Sequence, residues 1–182
     1  MTLDPALVAV RDLTLSDLPF ILGYWFRSPP GFIEAMGVDP VKMPKESEMR
    51  AALEDKVRQT PPAKLNALVI AYDNKPVGFH TLHPLVEGDH AIFHAHIWDA
   101  DFRRRGLGQH SYAKACRIFM DRFSLNRIIF KTPKQNTGAI RVKEKLGIRC
   151  IGEERIGFGI IRENTPAKVF ELTRAEVESW PT

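Results

Sequence analysis

An α/β fold, with a mixed, mostly antiparallel sheet and helices on both faces, is what this sequence predicts. Three observations lead there. Strand-like and helix-like segments follow in the order strand, helix, helix, three strands, helix, strand, helix, two strands. The three middle strands are joined by short turns and so form an antiparallel meander. The strand at 91–98, the helix at 108–123 and the strand at 127–131 make a crossover unit, which favours one parallel pair in the sheet.

Each element has a local reason. Val8 to Leu13 reads as a short strand. Ser16 is placed to cap a helix, Asp17 suits its first turn, and Leu18, Ile21, Leu22 and Trp25 share one face. Ser28-Pro29-Pro30-Gly31 stops that helix. Residues 31–44 look irregular, with Phe32, Met36 and Met43 exposed or lightly packed. Lys45 to Gln59 reads as a second helix, apolar at Met49, Leu53 and Val57, acidic early and basic late. Ala67 to Tyr72 is a buried-type strand. Asp73-Asn74-Lys75 turns into a strand at 77–83, and Glu87-Gly88-Asp89 into the strand at 91–98. Tyr112, Ala115, Cys116 and Phe119 line the third helix. Asn136 caps a short helix that ends at Gly147, and the last strands lie near 149–157 and 167–172.

Composition sets the bounds. The 182 residues are 44% hydrophobic and 26% charged, which suits one domain over 1–182 with a full core. No stretch approaches ~20 apolar residues, so no membrane helix is expected. The first residues lack a basic and then apolar leader, and Cys116 and Cys150 are too few for a disulfide scaffold. A reduced, cytoplasmic setting is therefore expected, with both cysteines buried as small hydrophobes. The net charge of +4 suits an anionic small molecule; without a basic tail or a recognition motif, nucleic acid is not the expected partner.

The chemistry concentrates in Trp98 to Ser111, between a strand and a helix N-terminus. Backbone N–H groups there converge on an anion, and the helix dipole adds positive potential. Gly106 and Gly108 lack the Cβ atoms that would hold a phosphate away, and Arg103, Arg104 and Arg105 add charge. The loop is thus a candidate pyrophosphate site. It has no Walker pattern, and Ser111 stands where a dinucleotide fingerprint needs its third glycine.

Arg103-x-x-Gly106-x-Gly108 resembles the acetyl-CoA loop, [RQ]-x-x-G-x-[GA], of the GNAT superfamily of N-acetyltransferases. Asn136-Thr-Gly-Ala139-Ile-Arg141-Val-Lys143-Glu-Lys145-Leu-Gly147-Ile148 resembles the family's N-x-x-A-x-x-x-Y-E-K-x-G-F segment, at the right distance downstream. With the element order the likeness covers about 6–173, and it is nearest the branch that includes ribosomal-protein N-terminal acetyltransferases. It implies acetyl-CoA as co-substrate, no metal, and direct attack by an amine in a ternary complex. The pyrophosphate would lie on the amides of Arg103, Arg104, Arg105, Gly106, Leu107 and Gly108. The pantetheine would lie along the main chain of His96, Ile97 and Trp98, in a splay between the strands at 91–98 and 127–131, with Asn136 on the same side. The family's general-acid Tyr is Lys143 here, and the Ser often found in the ribosomal branch is Ala139. Lys143 reads as a cation in the last turn of a helix, and as an acid only if burial lowers its pKa.

For the base the candidates are His96 first, then His94, which share a strand face, with Glu34 and Glu87 weaker. A turn centred on Gly88 puts His80 across from His96, so a three-His zinc site is the competing reading. A second alternative is a catalytically silent acyl-CoA-binding module. Tyr24 and Phe32 are expected to line the acceptor pocket, with Trp25 in the core. The acceptor is expected to be a peptide N-terminus or a small-molecule amine, since an α-amine has pKa ~7.7–8.0 against ~10.4 for lysine. A homodimer is one assembly the sequence allows.

Overall fold

The computed structural model describes residues 3–180. In chain order its elements are β1 (Val8–Asp12), α1 (Leu18–Phe26), α2 (Glu46–Gln59), β2 (Ala67–Tyr72), β3 (Lys75–Val86), β4 (His90–Ile97), α3 (Leu107–Arg122), β5 (Arg127–Pro133), α4 (Thr137–Lys145), β6 (Arg149–Ile156), β7 (Thr165–Thr173) and α5 (Arg174–Ser179). The predicted order holds, with α5 as the addition. The strands form one sheet in the order β1-β2-β3-β4-β5-β7-β6. Only β4 with β5 pairs in parallel among the described residues.

Burial explains the unbroken Leu68-Val69-Ile70 run in β2. Ala67 and Val69 lie with Phe79 beneath Leu18 and Ile21 of α1, while Leu68 belongs to the core on α3. A strand covered on both faces has no reason to alternate with polar residues. Tyr112, Cys116, Phe119 and Met120 bring one stripe of α3 onto that second core. Each large side chain buried there contributes about 1.5–3 kcal/mol. Asp73 and Asn74 have φ of 47° and 62°, the left-handed pair that a two-residue hairpin needs. The cap falls at Thr14, ahead of a 3₁₀ turn (Leu15–Asp17) that leads into α1, rather than at Ser16: the Asp17 carboxylate accepts from the Thr14 amide at 2.9 Å and from Arg11 at 2.7 Å. Cys116 is buried as expected, but Cys150 is exposed on the edge strand β6.

Three features position the site. First, β4 and β5 pair only at His90↔Arg127, Ala91↔Ile128 and Ile92↔Ile129. Beyond Ile92, β4 runs on to Ile97 and β5 to Pro133 without pairing, so the sheet opens between them. Second, β3 carries a bulge. Leu85 faces Ala91 but Leu82 faces Phe93, so two β3 residues oppose one of β4. Third, the α1–α2 connection is stitched to the β6–β7 loop. The Asp39 amide donates to Ile160 O at 2.8 Å, the Arg162 amide to Gly37 O at 2.9 Å, and Lys42 Nζ reaches Gly157 O and Ile161 O. The segment expected to be lightly packed is thus anchored, and Phe32 and Met36 pack against the Tyr24 cluster.

Candidate active site

A cavity of about 330 Å³ lies at the opening of the sheet. Four successive β4 residues, Phe93, His94, Ala95 and His96, line it. Successive strand residues point to opposite faces, so one cavity can touch all four only by passing around a free strand edge. The unpaired edge of β4 after Ile92 is that passage. Trp25, Met36, Val38 and Phe158 to Ile161 wall the cavity on one face, and Tyr112, Ala139 and Lys143 on the other.

The bulge decides which histidines meet. It shifts the β3–β4 register by one residue, so His80 pairs with Ala95, and Phe79 with His96. A shift of one turns a side chain to the other face. His80 therefore lies on the α3 side against Phe93 and Tyr112, fully buried and with neither ring nitrogen hydrogen-bonded. The three-imidazole cluster does not form. Among the described residues, no three His, Cys, Asp or Glu side chains could hold a metal.

His94 and His96 differ in their surroundings. His94 Nε2 lies 2.7 Å from His83 O, which can only accept, so Nε2 carries the proton and Nδ1 keeps its lone pair. Burial lowers the His94 pKa. His96 stacks on Phe79 at 4.6 Å and lies 4.9 Å from Trp25. Its Nδ1 is 3.0 Å from Tyr24 Oη, which also lies 3.1 Å from Met36 Sδ. Burial pushes the His96 pKa down to about 3, with His94 and His80 adding to the shift. Neither Glu34 nor Glu87 lines the cavity, and Glu87 pairs with Lys64 at 2.8 Å.

Lys143 departs most from expectation. It is 4% exposed, inside the cavity wall rather than on the helix surface. Its Nζ donates to Ala139 O at 3.2 Å and to Tyr112 Oη at 3.3 Å, and lies 5.4 Å from the Phe130 ring centroid. No carboxylate is among these partners, and burial lowers its pKa to about 7.

The 103–108 loop keeps its backbone role and changes its side-chain roles. Arg104 and Gly106 adopt φ of 60° and 91°, turning the chain into α3. The amides of Arg104, Gly106, Leu107 and Gly108 donate to nothing among the described residues, which suits an anion at the start of α3. Arg103 turns back: Nε donates to Ile97 O at 3.0 Å and Nη2 to Trp98 O at 3.2 Å, and its guanidinium sits 4.2 Å over Phe32. It ties off the end of β4 by donating to those two carbonyls. Arg105 donates to Asp101 O at 3.1 Å. Leu107 puts its side chain into the core. Gly108 serves packing: a Cβ there would lie 3.3 Å from Val142 of α4. Asn136 caps α4 through the Ala139 amide and also lines the cavity. Trp98 stacks between Phe20 and Phe79, with Nε1 donating to Pro76 O.

The acceptor-side expectation is reversed. Tyr24 and Phe32 do not line the cavity, because Tyr24 is buried beneath His96 and Phe32 lies under Arg103; Trp25 lines it instead. Tyr112, Lys131 and the 158–161 loop are further lining residues that the sequence reading missed. One signal was available for Tyr112: a hydroxyl on an apolar helix stripe needs a buried partner.

A family model described as "Acetyltransferase (GNAT) family" matches residues 33–148. No curated protein matches the sequence. Among solved structures, the spermidine N-acetyltransferase of Vibrio cholerae in complex with CoA and spermine is 15% identical, with TM-score 0.73 over 96% of this chain and 99% of that one. The ribosomal-protein-S5-alanine acetyltransferase of Vibrio fischeri is 15% identical, with TM-score 0.72 over 97% and 96%. AAC(6')-Ib in complex with ribostamycin and coenzyme A is 16% identical, with TM-score 0.71 over 96% and 98%. These likenesses carry the fold, and the family match carries the activity. With the free amides before α3 and the opening between β4 and β5, they place this chain in the GNAT family of acetyltransferases, enzymes that use acetyl-CoA.

Proposed function

We propose that this protein is a cytoplasmic, single-domain N-acetyltransferase that moves the acetyl group of acetyl-CoA to a primary amine by direct attack in a ternary complex. The observation that carries the reading is the cavity that wraps the free edge of β4 and puts a titratable group on each side: His94 on one, Lys143 on the other. Bound acetyl-CoA supplies the thioester electrophile. The free amides of Arg104, Gly106, Leu107 and Gly108 hold its pyrophosphate. The amine enters from the side of Trp25 and Phe158 to Ile161.

His94, rather than His96, takes the proton from the amine: its Nδ1 lone pair is free, whereas burial among Phe79, Trp25 and Tyr24 pushes the His96 pKa down to about 3 and leaves it a poor base. Lys143 gives a proton to the departing sulfur. A thiol titrates near ~8.5, so an ammonium brought down to about 7 is well matched to it. The two shifts leave a pH window in which His94 is neutral while Lys143 is still charged. Both departures from the family pattern are thereby absorbed: Lys143 takes the role of the Tyr, and Ala139 contributes only its carbonyl to Lys143.

The acceptor amine is an α-amine, of a peptide or of a small molecule, rather than a protein lysine. The test is a competition, followed by CoA thiol release, between a peptide with a free N-terminus and the same peptide N-capped and carrying an internal lysine. The free N-terminus is expected to react faster. Faster acetylation of the capped peptide overturns the α-amine assignment, and no thiol release from any amine overturns acetyl transfer itself.

A further inference from the structure

A second cavity, of about 210 Å³, lies against the first. The two share Trp25, Thr81, His96 and Ile160 as walls. The second extends beneath α2, between Leu53 and Phe79, and apart from Thr81, His96 and Lys56 its lining is apolar. Its one charged group is Lys56. Among the described residues the Lys56 ammonium is in no hydrogen bond or ion pair, although Asp55 and Glu54 precede it on the same helix. Burial against the apolar wall holds it below the usual lysine range, as expected of a cation without a partner.

The charge of the two cavities together is one-sided. Among the described residues no Asp or Glu lines either of them, while Lys131, Lys143 and Lys56 do. Lys131 is paired with Glu154 at 2.6 Å. An acceptor with a second ammonium would have to place it beside lysines with no carboxylate to receive it, at a cost set by desolvation and like-charge repulsion. An apolar substituent meets Leu53, Phe79 and Trp25 instead, and an anion at its far end meets Lys56.

We infer that the acceptor is a primary amine whose substituent is apolar along its length and anionic at its end, with the apolar part in the cavity under α2 and the anion on Lys56. This rests on the acetyl-transfer reading and names its substrate class. It separates this chain from an enzyme for polyamines, for which spermidine is the model compound. The volume suits a side chain of the size of a substituted phenyl ring.

Three amides of one backbone test it: phenylalaninamide, 4-carboxyphenylalaninamide and lysinamide. All present an α-amine beside an amide, so the side chain is the variable. Saturating acetyl-CoA is used, with thiol release as the readout and spermidine as a fourth acceptor. We expect kcat/KM to rank 4-carboxyphenylalaninamide, phenylalaninamide, then lysinamide and spermidine, with the first about tenfold above the second, the size of one charge-assisted hydrogen bond. Lys56→Met should bring the ratio of the first two to near one, and Lys56→Arg should keep it. Lysinamide or spermidine reacting fastest overturns this inference and leaves acetyl transfer standing, as does a ratio that Lys56→Met leaves intact. If no amine reacts while calorimetry shows CoA bound, acetyl transfer fails, and this inference fails with it.

Discussion

The two sides of the opening in the sheet are built from different materials. At the start of α3 the groups offered to a ligand are main-chain amides, and the side chains of Arg103, Arg105 and Leu107 beside them are engaged elsewhere. Around the cavity the groups offered are side chains, drawn from α1, the α1–α2 connection, β3, β4, α3, β5, α4 and the β6–β7 loop. A cradle of amides depends on local backbone geometry, so a short loop suffices and most of its side chains are free to change. A cavity of side chains depends on register and on which segments dock, so it shifts whenever one strand slips by a residue. The contrast predicts that cofactor binding fails through the backbone and catalysis fails through single side chains.

The largest effect should come from the amide side. Gly108→Glu puts a side chain into Val142 and a negative charge in the first turn of α3, and should weaken CoA binding on the order of 100-fold or more, from overpacking and repulsion together. Calorimetry measures it. Unchanged affinity would mean that neither the contact with Val142 nor the added charge reaches the cradle, and the contrast would break.

On the cavity side, Lys143→Met should lower kcat by ~10²-fold, the size of an acid–base contribution, and leave CoA affinity near that of the parent. The pH profile gives the sharper reading. An acid must be protonated, so the parent rate should fall as pH rises through about 7, and the variant should lose that limb. The same burial bears on stability. Between about 7 and the ordinary lysine value, the unfolded chain holds a proton that the folded chain has released, so stability rises with pH over that window. Lys143→Met should flatten that rise in denaturant midpoints.

The two histidines sharpen the comparison further. His94→Ala should cost ~10²-fold in kcat/KM, against ~10-fold for His96→Ala, which loses packing and orientation only. Equal losses, or the larger loss at His96, would return the base role to His96. The smallest effect should come from Phe32→Ala. It removes the ring beneath Arg103 and should raise the Kd for CoA about 2–5-fold, as one cation–π contact would.

The element order and the boundaries of most helices and strands were readable because period and caps act over a few residues. The run of β2 shows two-sided burial in its own composition, and Asn136 and Gly147 mark both ends of α4. The loop at 103–108 was readable for the same reason: positive φ at Gly106 and a helix start at Leu107 are local facts. The histidine cluster was not. Whether His80 joins His96 depends on one extra residue in β3, at His83-Pro84; a proline inside a strand is a bulge signal, but it does not by itself fix the register. The exchange of Tyr24 for Trp25 at the cavity arose likewise, because both fit the helix pattern and only docking against Phe79 and His96 selects between them. Lys143 was the widest departure. Its position in the last turn of a short helix is local, whereas its burial against Tyr112 and Phe130 comes from α3 and β5 closing over it. Local patterns act through the backbone and survive in the chain as spacing; the pKa of a buried lysine and the company of a histidine come from long-range packing, which leaves no spacing to read.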